Sequence, residues 1–522
     1  MARFLRFDHV SFSFAGMTRP LIDDADVHFA QGWTGIVGPN GAGKTTLLQL
    51  ATGGLEPVKG QVHHLASGIY AVQRTDNPPE GWEDFDEALD GKSQELRHQL
   101  GIKEGWFRRW NTLSHGERKR CQIAVVLWNN PEVLALDEPT NHIDVKARAM
   151  LIDALKNYNG VGLLVSHDRE LLDSLCSNCL FINPPKAILR PGGVTAGQEQ
   201  DRREQETARK QDANVKDAAK RLASQAQSLK EQSQTIAAKQ KNKKFKALGK
   251  NDHDAKEKRH RAEISNKNQV GSASQHATLA QRARDLDATR SNYYIRPEYE
   301  MGFWLDDSKT VFRGTVLSFP AGEVPLGDGR KLVHPDLYIS PTDRIALTGE
   351  NGLGKSTILK KFIPCLKIER ERLIYIPQEI TAEEAKELLA DVKTLQNDKK
   401  GVVMTSVRRL GSHPGRLLES ALPSPGEIRK LLLALGVAKG PHLIVMDEPT
   451  NHMDLPSIEC LEEALAECPC AMLLVSHDRR FLDKLTDKTW HLELQDDGLT
   501  VKLIPGRRDA PPVIDEWNPE EE

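Results

Sequence analysis

Short apolar runs closed by polar or acidic residues recur along this chain in two matching sets. The first half has WTGIV (33–37), VLALDE (133–138) and GLLV (162–165); the second has RIALT (344–348), LIVMDE (443–448) and AMLLV (471–475). Apolar runs of this length, without polar alternation, suit strands buried on both faces of a parallel sheet. After WTGIV and RIALT come a glycine-rich loop and then TLLQLA or TILKKF, each spaced like a helix. Strands alternating with such helices predict an α/β fold.

A middle region breaks the pattern. Gly192 to Arg296 holds no proline in 105 residues and is rich in Ala, Gln, Lys, Arg and Glu, which favour helix. Val215, Leu222, Leu229 and Ile236 recur every seven residues, with Ala219, Ala226 and Ser233 four places after the first three; Leu279, Ala283, Leu286 and Tyr293 form a later stripe. Two antiparallel helices packed through these small seams are predicted. The first, over 198–240, would span roughly 65 Å at ~1.5 Å per residue, and the hairpin tip falls in KNKKFKALGKNDHD.

The two α/β sets are a duplication. GPNGAGKTT begins at Gly38 and GENGLGKST at Gly349, 311 apart, while Gly116 and Gly426, Glu138 and Glu448, and His167 and His477 are each 310 apart. Four motifs in one order at a nearly constant offset mean that one domain is present twice. The expected organisation is a first domain over 1–195, a helical hairpin over 196–297, a second domain over 298–505 and a tail over 506–522 that is proline-rich, acidic at its end and disordered.

Composition bounds the setting. The 522 residues carry a net charge of −3 and a mean hydropathy of −0.50, and no apolar run approaches the roughly 20 residues needed to cross a bilayer. MARFLRFDHVSFSF has charges where a secretory signal would have its apolar stretch, so a cytoplasmic protein is expected. Seven unevenly placed cysteines fit reduced thiols. Cys176 and Cys179 have metal-ligand spacing, but no second CxxC follows to close a four-ligand site.

The motifs carry nucleotide chemistry. GPNGAGKT and GENGLGKS fit G-x-x-x-x-G-K-[ST], in the strand–loop–helix setting that lets backbone N–H groups and a helix N-terminus face phosphates. The candidate phosphate-binding residues are Gly38, Pro39, Asn40, Gly41, Ala42, Gly43, Lys44, Thr45 and Thr46, and Gly349, Glu350, Asn351, Gly352, Leu353, Gly354, Lys355, Ser356 and Thr357. Lys44 and Lys355 are expected on the β- and γ-phosphates of ATP, and Thr45 and Ser356 on Mg²⁺. An acid pair ends each VLALDE-type strand. Asp137 and Asp447 suit the Mg²⁺ shell, and Glu138 and Glu448 suit deprotonation of the attacking water. SHDR follows each at 166–169 and 476–479, which puts His167 and His477 near the γ-phosphate; Gln73 and Gln378, just past YAV and YIP, could ligate Mg²⁺. An isolated acid pair, glycine-rich turn or histidine is ordinarily structural; the shared order around a P-loop favours chemistry.

At LSHGE (113–117), followed by the acidic strand, PTNHID and the switch histidine, the chain resembles an ATP-binding cassette ATPase across both halves. The resemblance implies two cassettes closing head to tail within one chain, so a monomer is expected. Lys44 and Glu138 would face Ser424 and Gly426, Lys355 and Glu448 would face Ser114 and Gly116, and Phe14 would stack on adenine, with Phe319 as a second candidate. The second signature reads PSPGE where the family's form is LSGGQ, and Pro425 has no N–H to offer a phosphate.

The doubled EPTNH motif, the fused cassettes and the lack of a membrane domain are similar to the ABC-F subgroup, which implies action on ribosomes. Its interdomain linker reaches rRNA and tRNA, which fits the hairpin here: residues 199–290 carry net +9, leaving −12 for the rest of the chain. Gln73 to Leu113 is too short for the extra arm some members insert. Membrane and DNA are not expected partners. Two other classes fit part of the pattern. A transporter ATPase with separate membrane subunits would not need a long basic hairpin, and a coiled-coil DNA-repair ATPase would carry an apex cysteine hook, absent between Cys179 and Cys365.

Overall fold

The computed structural model describes residues 4–17, 20–64, 68–141, 143–184, 186–244, 275, 277–289, 312–327, 329–412, 414–419, 423–451 and 453–507. In the first cassette β1 (Leu5–Phe12), β2 (Ile22–Phe29) and β4 (Lys59–His64) form an antiparallel sheet in the order β2-β1-β4. β3 (Gly32–Val37), β5 (Gly68–Ala71), β6 (Val133–Asp137), β7 (Val161–Val165), β8 (Cys176–Asn183) and β9 (Lys186–Pro191) form a sheet ordered β5-β6-β7-β3-β8-β9, parallel except for β8–β9.

The second cassette repeats that order. β10 (Leu317–Phe319) pairs with β13 (Leu337–Ile339) in a small sheet. β11 (Gly322–Pro325), β12 (Lys331–His334), β14 (Arg344–Gly349), β15 (Leu373–Ile376), β16 (Leu443–Asp447), β17 (Ala471–Val475), β18 (Lys488–Leu494) and β19 (Thr500–Arg507) form β11-β12-β19-β18-β14-β17-β16-β15. All five residues of each of β6, β7, β16 and β17 are buried, which is why these strands lack alternation. Gly162 in β7 is needed for packing, since a Cβ there would come within 2.4 Å of the Trp33 ring. The last strand runs to Arg507, past the expected boundary; Pro505 pairs with Trp490 of β18 and lies beyond the residues that pair with β12.

Residues 198–298 separate as a compact unit of their own, and residues 1–197 with 299–522 form the other. The linker helix is Val194–Lys244. It begins before the expected start, with Val194 fully buried and Gly197 against the Phe181 ring, where a Cβ would meet it at 2.5 Å. Within the linker unit the seams lie where the heptads put them: Ala219 and Ala226 are buried, as is Ala283 on the helix over 277–289, and these alanines line one groove with Ala223, Ala277 and Ala280. The side chains of Ser233 and Ile236, together with Tyr293, most of the expected hairpin tip and nearly all of the tail, lie outside what the structure describes.

Candidate active site

Each P-loop turns between a buried strand and a helix, Lys44–Ala51 or Lys355–Phe362. Gly43 and Gly354 cap these helices at φ of 93° and 90°, the left-handed region in which a side chain would be strained. Lys44 Nζ folds back to donate to the carbonyls of Gly38 (2.8 Å) and Pro39 (3.2 Å), and Lys355 Nζ does the same to Gly349 (2.6 Å) and Glu350 (3.1 Å). Burial lowers both ammonium pKa values.

The acid strands arrive beside them. Thr45 Oγ1 donates to Asp137 Oδ2 at 2.8 Å and Ser356 Oγ to Asp447 Oδ2 at 2.5 Å. Tyr70 also donates to Asp137 at 3.0 Å, which sequence reasoning did not anticipate. The next residue bends sharply: Glu138 and Glu448 adopt φ of 48° and 51°, and their N–H groups donate to Val165 and Val475 at 2.8 Å. Left-handed backbone at a non-glycine residue costs about 1–3 kcal/mol and persists where the surroundings enforce it. Here it turns two carboxylates toward the switch histidines. His167 Nε2 lies 3.2 Å from Glu138 Oε1, and the backbone N–H of His167 donates to Oε2 at 3.3 Å; the second site has 3.5 and 3.3 Å.

Burial sets the electrostatics. It raises the Glu138 carboxyl pKa and drives that of Glu448 up to about 7, while holding His167 down to about 3 and His477 down to about 4. The imidazoles are therefore neutral, and the carboxylates are strong bases for their type. Glu138 Oε1, Glu448 Oε1 and His167 Nδ1 are buried without a hydrogen-bond partner. Bound nucleotide, cation and water would satisfy such atoms, and the hydroxyl–carboxylate pairs suit a hard divalent cation.

A cavity of about 420 Å³ lies over the second P-loop, lined by Asn351, Lys355, Ser356, Gln378, Asp447, Glu448 and His477 together with Thr140 and Ile143 of the first cassette. The D-loops thus reach across. Asn40 N–H donates to Asp454 Oδ2 at 2.7 Å, bringing the first P-loop to the second cassette's D-loop. No signature residue lines that cavity. Ser114 and Ser424 are exposed and cap their own helices, His115–Asn129 and Pro425–Val437, in boxes closed by Glu117 and Glu427; Gly116 is half-buried and Gly426 buried. Gln73 and Gln378 are exposed beyond their strands. Phe14 is exposed and edge-on to Phe12, whereas Phe319 stacks on His334.

Sequence reasoning also passed over Lys119 and Arg429, 310 residues apart on the signature helices. Lys119 Nζ donates to the Val72 (3.0 Å) and Gln73 (3.1 Å) carbonyls, and Arg429 to the Gln378 and Asn451 carbonyls. A cation five places after each signature serine was the available signal.

Two P-loops, each with a paired acid strand and a switch histidine, facing one another across their D-loops, define a tandem nucleotide-hydrolysing protein of the cassette class. The family model described as "ABC transporter" matches residues 22–141 and 332–451. The chain is 28% identical to the ribosome protection protein VmlR of Bacillus subtilis, covering 91% of this chain and 84% of that protein, and 28% identical to the tylosin resistance ATP-binding protein TlrC of Streptomyces fradiae, covering 88% and 92%. It is 25% identical to the energy-dependent translational throttle protein EttA of Mycobacterium tuberculosis, over 89% and 87%. A solved structure titled "RNase-L Inhibitor" shares the fold, with a TM-score of 0.60 and 18% identity over 96% of this chain and 90% of that one. Both halves of the chain match the ATP-binding cassette model, and the chain is an ATPase that binds ATP at its cassettes.

Proposed function

We propose that this chain is a cytoplasmic ribosome-associated ATPase whose ATP-closed form remodels or protects translating ribosomes through its basic linker. The observation that carries this reading is the division of charge: a segment of net +9 lies between two cassettes in a remainder of net −12. Such a segment suits the phosphate-rich surfaces of rRNA and tRNA. Relatives named for ribosome protection, tylosin resistance and translational throttling support it. Among the described residues no helix is long and apolar enough to cross a membrane.

In this reading Lys44 and Lys355 neutralise the β- and γ-phosphates as the loop amides hold them. Thr45, Asp137 and Gln73 would hold one Mg²⁺, and Ser356, Asp447 and Gln378 the other; the cation offsets phosphate charge when bound. Glu138 and Glu448 take the proton of the attacking water, and His167 and His477 donate to the γ-phosphate. On closure Ser424 and Gly426 complete the first site, Ser114 and Gly116 the second, and Phe14 stacks on adenine.

The test is cosedimentation with ribosomes at several salt concentrations, using the Glu138→Gln, Glu448→Gln protein with ATP. Replacing Lys241, Lys243, Lys244, Lys246 and Lys250 with Gln should weaken binding and flatten its dependence on salt, since each phosphate contact adds roughly 0.7–0.9 to the slope of log affinity against log salt. The free protein's ATPase should be unchanged. A steep slope kept after all five changes would place the affinity elsewhere. No ribosome binding even at low salt would remove the ribosome reading while leaving the ATPase, and copurification with a membrane protein would then favour a transporter subunit.

A further inference from the structure

The helices that follow the switch histidines, Arg169–Leu175 and Arg479–Leu485, exchange charges across the cassette interface. Arg169 Nη2 donates to Glu462 Oε1 and, at 3.2 Å, to Asp478 Oδ2; Arg480 Nη2 returns the contact to Asp173 Oδ2 at 2.6 Å. Asp478 is the residue after His477. It caps its helix by accepting the Phe481 N–H at 3.1 Å, and its own N–H donates to Ser476 Oγ at 3.1 Å, so its position fixes the turn that carries the histidine.

The first cassette solves the same problem alone. Asp168, after His167, is held by Arg148 of its own D-loop helix at 3.2 Å, and Arg148 also pairs with Glu170 at 2.5 Å. The position equivalent to Arg148 in the second cassette is Ile458, which cannot pair with a carboxylate, and the position equivalent to Glu462 in the first is Ile152. The second cassette therefore lacks the internal arginine and carries instead an acid that anchors the other cassette's. Arg169 and Glu462 are 8% and 3% exposed, so the contact is shielded from solvent.

We propose that Arg169 is a positioning residue for the second hydrolysis site, holding the His477 turn across the interface through Asp478, so that this site is assembled only when the cassettes are paired. The switch turn of the first site has no such dependence, because Arg148 supplies its support in cis. Arg169 touches neither P-loop residues nor the 420 Å³ cavity; it acts through Asp478 alone. The inference rests on Glu138 and Glu448 as the hydrolytic carboxylates.

The test is Arg169→Met in two full-length backgrounds: Glu138→Gln, where the second site turns over alone, and Glu448→Gln, where the first does. Glu462 keeps Lys484 at 3.3 Å in the variant, which limits the burial of an unpaired charge. In the first background the single-turnover rate should fall about tenfold, within the roughly hundredfold that a misplacement of about 1 Å can cost, with ATP affinity within twofold, and Arg169→Lys should recover part of the loss. In the second background the rate should stay within twofold, which also shows that the variant folds. Equal losses in both backgrounds would mean a general interface role, and no loss in the first would mean no role; either overturns the proposal. If the Glu138→Gln, Glu448→Gln protein itself hydrolysed ATP at the parent rate, the carboxylate reading would fall and this proposal with it.

Discussion

Five places after its signature serine the first cassette has Lys119, which reaches the glutamine loop but not the D-loop; the second has Arg429, whose fork holds the glutamine loop and the D-loop together. The same contrast recurs elsewhere. The first P-loop has an N–H bonded by the opposite D-loop aspartate, Asp454, and the first cassette supports its own switch turn while also supporting its partner's. The groups proposed to meet ATP make matching contacts in the two cassettes, down to the lysine and hydroxyl bonds of each P-loop. Duplication has kept the reacting groups alike and let the residues behind them diverge. Equal motifs therefore need not mean equal sites.

The largest effect should come from removing what the cassettes share. Glu138→Gln with Glu448→Gln takes away both bases, whose contribution is typically ~10² to 10⁴ in rate. Phosphate release should drop by that factor while ATP binding, followed by filter retention or fluorescence, is kept; turnover at the parent rate would refute the assignment. The single substitutions sharpen the contrast. Pro425 sits at the first position of its helix, where a missing N–H costs the helix nothing, yet it withdraws a donor from the signature expected to face the first site. A hydrogen bond to a charged group is worth about 1.5–3 kcal/mol, roughly tenfold or more in rate. Glu448→Gln should slow steady-state hydrolysis more than Glu138→Gln by that order, and equal losses would remove the proline argument.

What could be read from the chain follows from distance along it. The P-loops, acid strands and histidines are short patterns, each held by an apolar strand ahead of it, and the alanine seams are a heptad; all have local signals. The capping boxes were also legible, because Ser114 and Ser424 each precede a glutamate by three residues, but a reading of both serines as phosphate ligands passed over it. The left-handed turn at Glu138 and Glu448 was not legible, since nothing in a glutamate's identity announces a positive φ. Neither was the Arg169–Glu462 pair, whose members lie 293 residues apart and meet only because two domains dock. Val194 hid as a helix start because Gly192, Gly193 and Gly197 around it resemble a loop, and only packing on Phe181 explains the last.

The smallest expected effect tests the signature-helix cations. In Arg429→Lys a single ammonium replaces a fork that reaches two carbonyls, and it cannot serve Gln378 and Asn451 together. One partly buried carbonyl then lacks its donor, at a cost of about 1 kcal/mol. In a domain of this size that lowers the thermal midpoint by about 2 °C. Lys119→Arg is the reciprocal change. Lys119 Nζ already donates to Val72, Gln73 and Gln122 from one point, so a guanidinium has no orphaned acceptor to gain, and the midpoint should move by less than about 1 °C. Thermal unfolding of the two full-length variants side by side decides it. Matching shifts would show that Arg429 does not hold the two loops together, and the contrast at the signature helices would then be one of residue type without consequence.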